Sequence, residues 1–93
     1  MIMSLTLTEY LVKANDRLPE EARRVLLALV EEGSMNKEGL SLTARVKRAV
    51  LDHVIMQLYA LGLVEVETEG KSKICSLTRL GDEFLSLIEA EAG

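Results

Sequence analysis

A chain of 93 residues supports at most one modest hydrophobic core, so one unit is expected across residues 1–93, with little stability to spare. Its 48% hydrophobic and 28% charged content excludes a disordered tail, and no apolar run approaches the roughly 20 residues that cross a bilayer. The net charge of −4 would argue against a nucleic-acid partner if the charge were evenly spread, and it is not. Residues 37–79 hold seven basic and five acidic side chains, whereas the two ends together hold four basic and ten acidic ones. Phosphate neutralisation is local, because charges are screened beyond roughly 8–10 Å, so a net-positive middle can bind what the whole chain would repel.

The N-terminal MIMSLTLTEY lacks the basic stretch, apolar region and small-residue cleavage site of a signal peptide. The single cysteine, Cys75, cannot form an internal disulfide, and both features point to a reducing cytoplasm. One Gln, two Asn and many Glu, Leu and Val make a bias away from thermolabile amides, as in thermophiles.

In chain order, Thr6 and Glu9 form a T-x-x-E capping box, and Leu7, Tyr10, Leu11, Ala14 and Leu18 recur at helical spacing over residues 6–18. Pro19 ends that helix and suits the first position of the next, whose first turn carries Glu20 and Glu21. Ala22, Val25, Leu26, Leu29 and Val30 predict its buried face, and Gly33 its end. Residues 34–45 admit two readings. Ser34 or Asn36 caps a short helix weakened by Gly39, or a long helix starts at Ser41 or Thr43 and runs to Leu61. The short helix with a turn near Arg45–Lys47 is preferred.

A helix from about Lys47 to Leu61 follows. Val50, Leu51, Val54, Ile55, Leu58 and Leu61 predict its inner face, and Arg48, Ala49, Asp52, His53, Met56 and Tyr59 its outer one, with Gly62 closing it. Val64 and Val66 alternate with Glu65 and Glu67, predicting a half-buried strand. Glu69-Gly70-Lys71 turns the chain, and a second strand returns with Cys75 and Leu77 inward. Thr78 caps a final helix over 78–91, striped by Leu80, Phe84, Leu87 and Ile88. The fold class expected is mainly α with a small β-hairpin: a winged helix-turn-helix with additional N- and C-terminal helices.

Catalysis finds no support in these residues. There is one His, no Gly-x-Ser-x-Gly turn, and no glycine-rich phosphate loop. His53 and Cys75 fall short of the about four ligands that a structural zinc requires. No enzyme, cofactor, metal or small-molecule ligand is therefore expected. The basic residues carry the functional reading. Arg45, Lys47 and Arg48 lie where a groove-entering helix starts, and Lys71 and Lys73 beside the hairpin tip. Solubilising surface charge would account for either cluster alone; their joint placement on the two elements a winged helix offers to DNA favours binding. Asp52, Glu65, Glu67 and Glu69 oppose phosphate unless they pair with a lysine or accept a hydrogen bond from a cytosine amine.

Leu58-x-x-x-Gly62-Leu63-Val64 and Leu77-Thr78-x-x-Gly81 resemble the recognition-helix boundary and final-helix opening of winged helix-turn-helix regulators of archaea and bacteria, the MarR and PadR types above all. The resemblance covers roughly residues 20–90. It implies a recognition helix at 47–61, a wing at 63–77, dimerisation through the terminal helices, and base-facing positions at Arg48, Ala49, Asp52 and His53. Lys47 departs from the pattern, which has Ser or Thr there. The expected function is a homodimeric regulator binding double-stranded DNA through Arg45, Lys47, Arg48, Ala49, Asp52, His53, Lys71 and Lys73. The alternative is a winged helix that seats a protein partner on Met56 and Tyr59 within a larger assembly.

Overall fold

A computed structural model describes residues 6–92, with side chains through residue 90. Helices α1 (Leu7–Arg17) and α2 (Glu20–Glu32) lead into a two-residue strand β1 (Met35–Asn36), then α3 (Lys37–Ala44) and α4 (Arg48–Ala60). The hairpin β2 (Val64–Glu69) and β3 (Ser72–Leu77) precedes α5 (Arg79–Ala92). The sheet is antiparallel in the order β1-β3-β2, with Met35 opposite Cys75 and Val66 opposite Cys75 from the other side. A helix-turn-helix followed by a hairpin on a helical core is the winged-helix arrangement.

The local signals act as their chemistry requires. Thr6 Oγ1 accepts the Glu9 amide at 3.0 Å, opening α1. Pro19 stands at the cap of α2, and Gly33, at φ +79°, ends it with its amide on the Leu29 carbonyl at 2.9 Å. Asn36 caps α3 by accepting the Gly39 amide at 2.8 Å. A Cβ on residue 39 would come within 3.2 Å of that Asn36 oxygen, so the glycine that weakens the helix leaves room for its cap. The single-helix reading of residues 41–61 is excluded: Arg45 adopts φ 58°, ψ 49°, and the Ser41 hydroxyl donates to the Val46 carbonyl at 2.6 Å to close the turn.

The core gathers Val25, Leu26 and Leu29 of α2, Leu40 of α3, and Leu51, Val54, Ile55 and Leu58 of α4. Val64, Cys75 and Phe84 seal it from the sheet and α5. Two expected core positions are corrected. Val50 is exposed, like Arg48 and Ala49 before it, and the buried face of α4 begins only at Leu51. Val30 is 48% exposed, because α2 turns the small Ala28 inward and leaves Val30 beside a groove with Leu27 and Leu85. Of the α1 stripe only Leu11 is buried; Leu7 and Tyr10 face outward. Strand β1 had no sequence signal, since two residues show no periodicity.

The two motif segments meet at one junction. Gly62 takes φ +78°, and its carbonyl accepts the Thr78 hydroxyl at 2.7 Å. The Thr78 amide donates to the Leu63 carbonyl at 3.1 Å, and Thr78 Oγ1 accepts the Gly81 amide at 2.9 Å, capping α5. A Cβ at Gly81 would sit inside contact distance of the Leu63 carbonyl and 2.7 Å from Leu77 Cδ1. Glycine is therefore required for α5 to lie against the strand that starts the wing.

Candidate nucleic-acid interface

Three segments far apart in sequence converge beside the first turn of α4. Asn36, Lys37 and Glu38 open α3, Arg48 opens α4, and Lys71, Ser72 and Lys73 come from the wing, together lining an open cleft of about 330 Å³. Four cations and one carboxylate face it. The wing reaches this position because Gly70, at φ +62°, is the first central residue of a two-residue hairpin turn, where a II′ geometry needs a positive φ. Lys73 pairs with Thr68 and so lies on the Val64–Val66 face of the hairpin. Glu65, Glu67 and Glu69 alternate onto the other face, exposed, and none of them lines the cleft.

The start of α4 adds donors of its own. Its cap residue is Lys47, which has no side-chain acceptor, so the amides of the first turn are not side-chain capped. Such amides, at the positive end of the helix dipole, suit an anion.

Asp52, one turn beyond Arg48, is neutralised from another element. Lys37 Nζ donates to Asp52 Oδ1 at 2.9 Å, linking the start of α3 to the outer face of α4. That hydrogen bond holds the Asp52 carboxyl below its ordinary range; burial opposes it, and the positive charge of Lys37, Arg48 and His53 adds to the lowering. Ala49 and His53 are exposed on the same outer face, as expected. Met56 and Tyr59 continue it farther along the helix, 63% and 47% exposed.

Of the basic residues expected to act together, Arg48, Lys71 and Lys73 share the cleft and Lys47 lies exposed beside it. Arg45 does not join them: it borders a separate groove with Arg24, Ala28 and Glu31. Lys37 is the residue that sequence reasoning missed. It stands 15 positions before Asp52, and only the crossing of α3 over α4 makes them neighbours. Cys75 is buried in β3, which pushes its thiol up to about 11.

No family model and no curated protein matches the chain. Solved structures do. BpsR of Bordetella bronchiseptica, a protein whose DNA binding is regulated by 6-hydroxynicotinic acid, superposes at a TM-score of 0.73 and 20% identity, covering 89% of this chain and 75% of that one. The fold is MarR-like. A MarR family transcriptional regulator from Silicibacter pomeroyi gives 0.74 at 22% identity over 87% of this chain and 56% of its own. The type III plasmid segregation protein TubR, in a mutant form, gives 0.74 at 21% identity and covers 99% of this chain and 98% of its own. The chain thus spans little more than half of the Silicibacter regulator and nearly all of TubR. Identities this low carry the fold and nothing finer. Among the described residues, no helix is long and apolar enough to cross a membrane.

Proposed function

We propose that this protein is a winged-helix regulator that binds duplex DNA through α4 and the wing, as a homodimer joined by α1 and α5. The cleft carries the reading: Lys37, Arg48, Lys71 and Lys73 converge there from three segments, while the acidic residues of the wing lie on its opposite face. Arg48 and the first-turn amides of α4 would take phosphate or a guanine edge, with Ala49 and His53 facing bases. Lys47, Lys71 and Lys73 would hold the backbone, and Arg45 a flanking phosphate. The exposed Leu7 and Tyr10 support a partner helix against α1, and a two-fold dimer would set two α4 helices about 34 Å apart, one turn of DNA. The unpaired Cys75 fits a reducing cytoplasm. The BpsR and Silicibacter neighbours support regulation of transcription as the role, and a binding protein and not an enzyme.

The test is a titration with mixed-sequence duplex at 50 and 200 mM salt. Four phosphates neutralised per subunit, eight by the dimer, predict a loss of affinity on the order of ten-thousandfold across that range. Weak binding that ignores salt would sink the reading and favour a protein partner seated on Met56 and Tyr59. A second reading, segregation of DNA, is favoured by the end-to-end match with TubR. Recovery of genomic fragments separates the two: scattered upstream regions mark a regulator, one repeated cluster a segregation site.

A further inference from the structure

We infer that Asp52 is a specificity-determining residue that reads a cytosine amine in the major groove, and that Lys37 is the positioning residue that makes this possible. The inference rests on the DNA-binding reading and deepens it. A carboxylate on a groove-facing helix is a liability, because it repels every phosphate it approaches and accepts hydrogen bonds without donating any. Were Asp52 an ordinary solvated residue, nothing would hold it in one conformation. Instead Lys37 Nζ grips Oδ1 at 2.9 Å from a different helix, and the lysine that does so is itself mostly covered, 24% exposed against 53% for Asp52.

Three consequences follow from this geometry. The pair is electrically neutral as a unit, so the approach of α4 to phosphate is not opposed. The carboxylate is fixed by one oxygen, while Oδ2 makes no hydrogen bond among the described residues and its acceptor lone pairs stay available. Asp52 also lies one helical turn after Arg48, on the exposed face that carries Ala49 and His53, so an element that inserts its first turns into the groove carries Asp52 to the base edges. Of the four bases, cytosine is the one that shows the major groove an amine donor and no acceptor of its own, whereas guanine and thymine present acceptors that a carboxylate repels. Adenine offers an amine next to the N7 acceptor, which suits an amide better than a carboxylate. Arg48 and Asp52, a donor fork and an acceptor one turn apart, would then read guanine and cytosine as neighbours.

Selection from a randomised duplex library, with the wild-type chain and its variants, tests this. Wild type should enrich cytosine at one position per half-site by about tenfold over the other bases. Asp52→Ala should flatten that position to within about twofold while binding unrelated duplex more tightly, since a carboxylate has gone. Asp52→Asn should move the preference from cytosine to adenine, an outcome that loss of folding cannot produce. Lys37→Met should weaken binding to all sequences, and the double variant Lys37→Met/Asp52→Ala should recover part of that loss, because the unshielded carboxylate is removed with it. An unchanged base preference in both Asp52 variants, with DNA binding intact, overturns the assignment and leaves the DNA reading standing. Wild-type protein that binds no duplex overturns both.

Discussion

The junction of Gly62, Thr78 and Gly81 and the cleft around Arg48 are built on different terms. At the junction each residue answers to backbone geometry: a positive φ at Gly62, a hydroxyl serving two backbone groups at Thr78, and no room for a methyl at Gly81. At the cleft the side chains answer to charge, and the backbone is worse served for it. Lys47 fills a cap position where Ser, Thr, Asp or Asn would bond an amide, and nearby Arg45 takes a left-handed conformation that glycine adopts freely. A fold is kept by residues that cannot change without moving backbone. A binding surface is kept by residues that could change at no cost to the fold. This is why the motifs that identify the winged helix lie at the junction and say little about a ligand.

Substitutions can break that contrast, and the largest effect belongs to the junction. Gly81→Ala should destabilise the chain by about 3 kcal/mol or more, because the methyl meets the Leu63 carbonyl, which is backbone that cannot step aside. Denaturant unfolding measures it, and a loss under 1 kcal/mol would show that α5 can simply shift.

Next comes the buried thiol between core and wing. Burial favours its neutral form and raises its folded pKa to about 11, above the ordinary thiol range. The associated stability is complete below about pH 9 and is lost as pH rises toward 11, by an amount on the order of 2 kcal/mol. Cys75→Val should remove that part of the alkaline decline, and the wild-type thiol should resist alkylation until the chain unfolds. Equal alkaline slopes in the two proteins would mean that the thiol is better solvated than its position indicates.

Arg48→Ala sharpens the other side of the comparison. Duplex affinity should fall by at least about tenfold and the salt slope by about two, one for each subunit, with unfolding changed by less than about 0.5 kcal/mol. A stability loss larger than the binding loss would move Arg48 from the surface to the scaffold. The smallest effect is expected at the turn. Lys47→Ser and Arg45→Gly should each raise stability by about 0.5–1 kcal/mol, the first with weaker DNA binding, the second with a lesser change because Arg45 stands outside the cleft. If neither gains stability, the basic residues there carry no backbone penalty.

Much of the fold was legible because its signals are local. Thr6, Pro19 and Gly33 each act within a few residues of where they stand, as do Gly62 through its own φ and Thr78 in capping the Gly81 amide, and the Leu51–Val54–Ile55–Leu58 stripe needs only helical periodicity. Val30 and Val50 were misjudged because periodicity gives the direction of a side chain and not how far the neighbouring elements extend over it. Strand β1 escaped because two residues are too few to alternate, and it exists through pairing with β3, some 40 residues later.

For the site, composition along the chain located the positive charge in residues 37–79 and the outer face of α4 named Arg48, Ala49, Asp52 and His53, since both are properties of short segments. Tertiary structure decided the rest. It put the lysines of the wing opposite Arg48, turned Glu65, Glu67 and Glu69 to the other side of the hairpin, and set Arg45 apart. It also joined Lys37 to Asp52 across the helix-turn-helix, which a linear reading cannot do. Coulomb interactions depend on distance in space, and only the crossing of α3 over α4 and the fold-back of the wing set those distances.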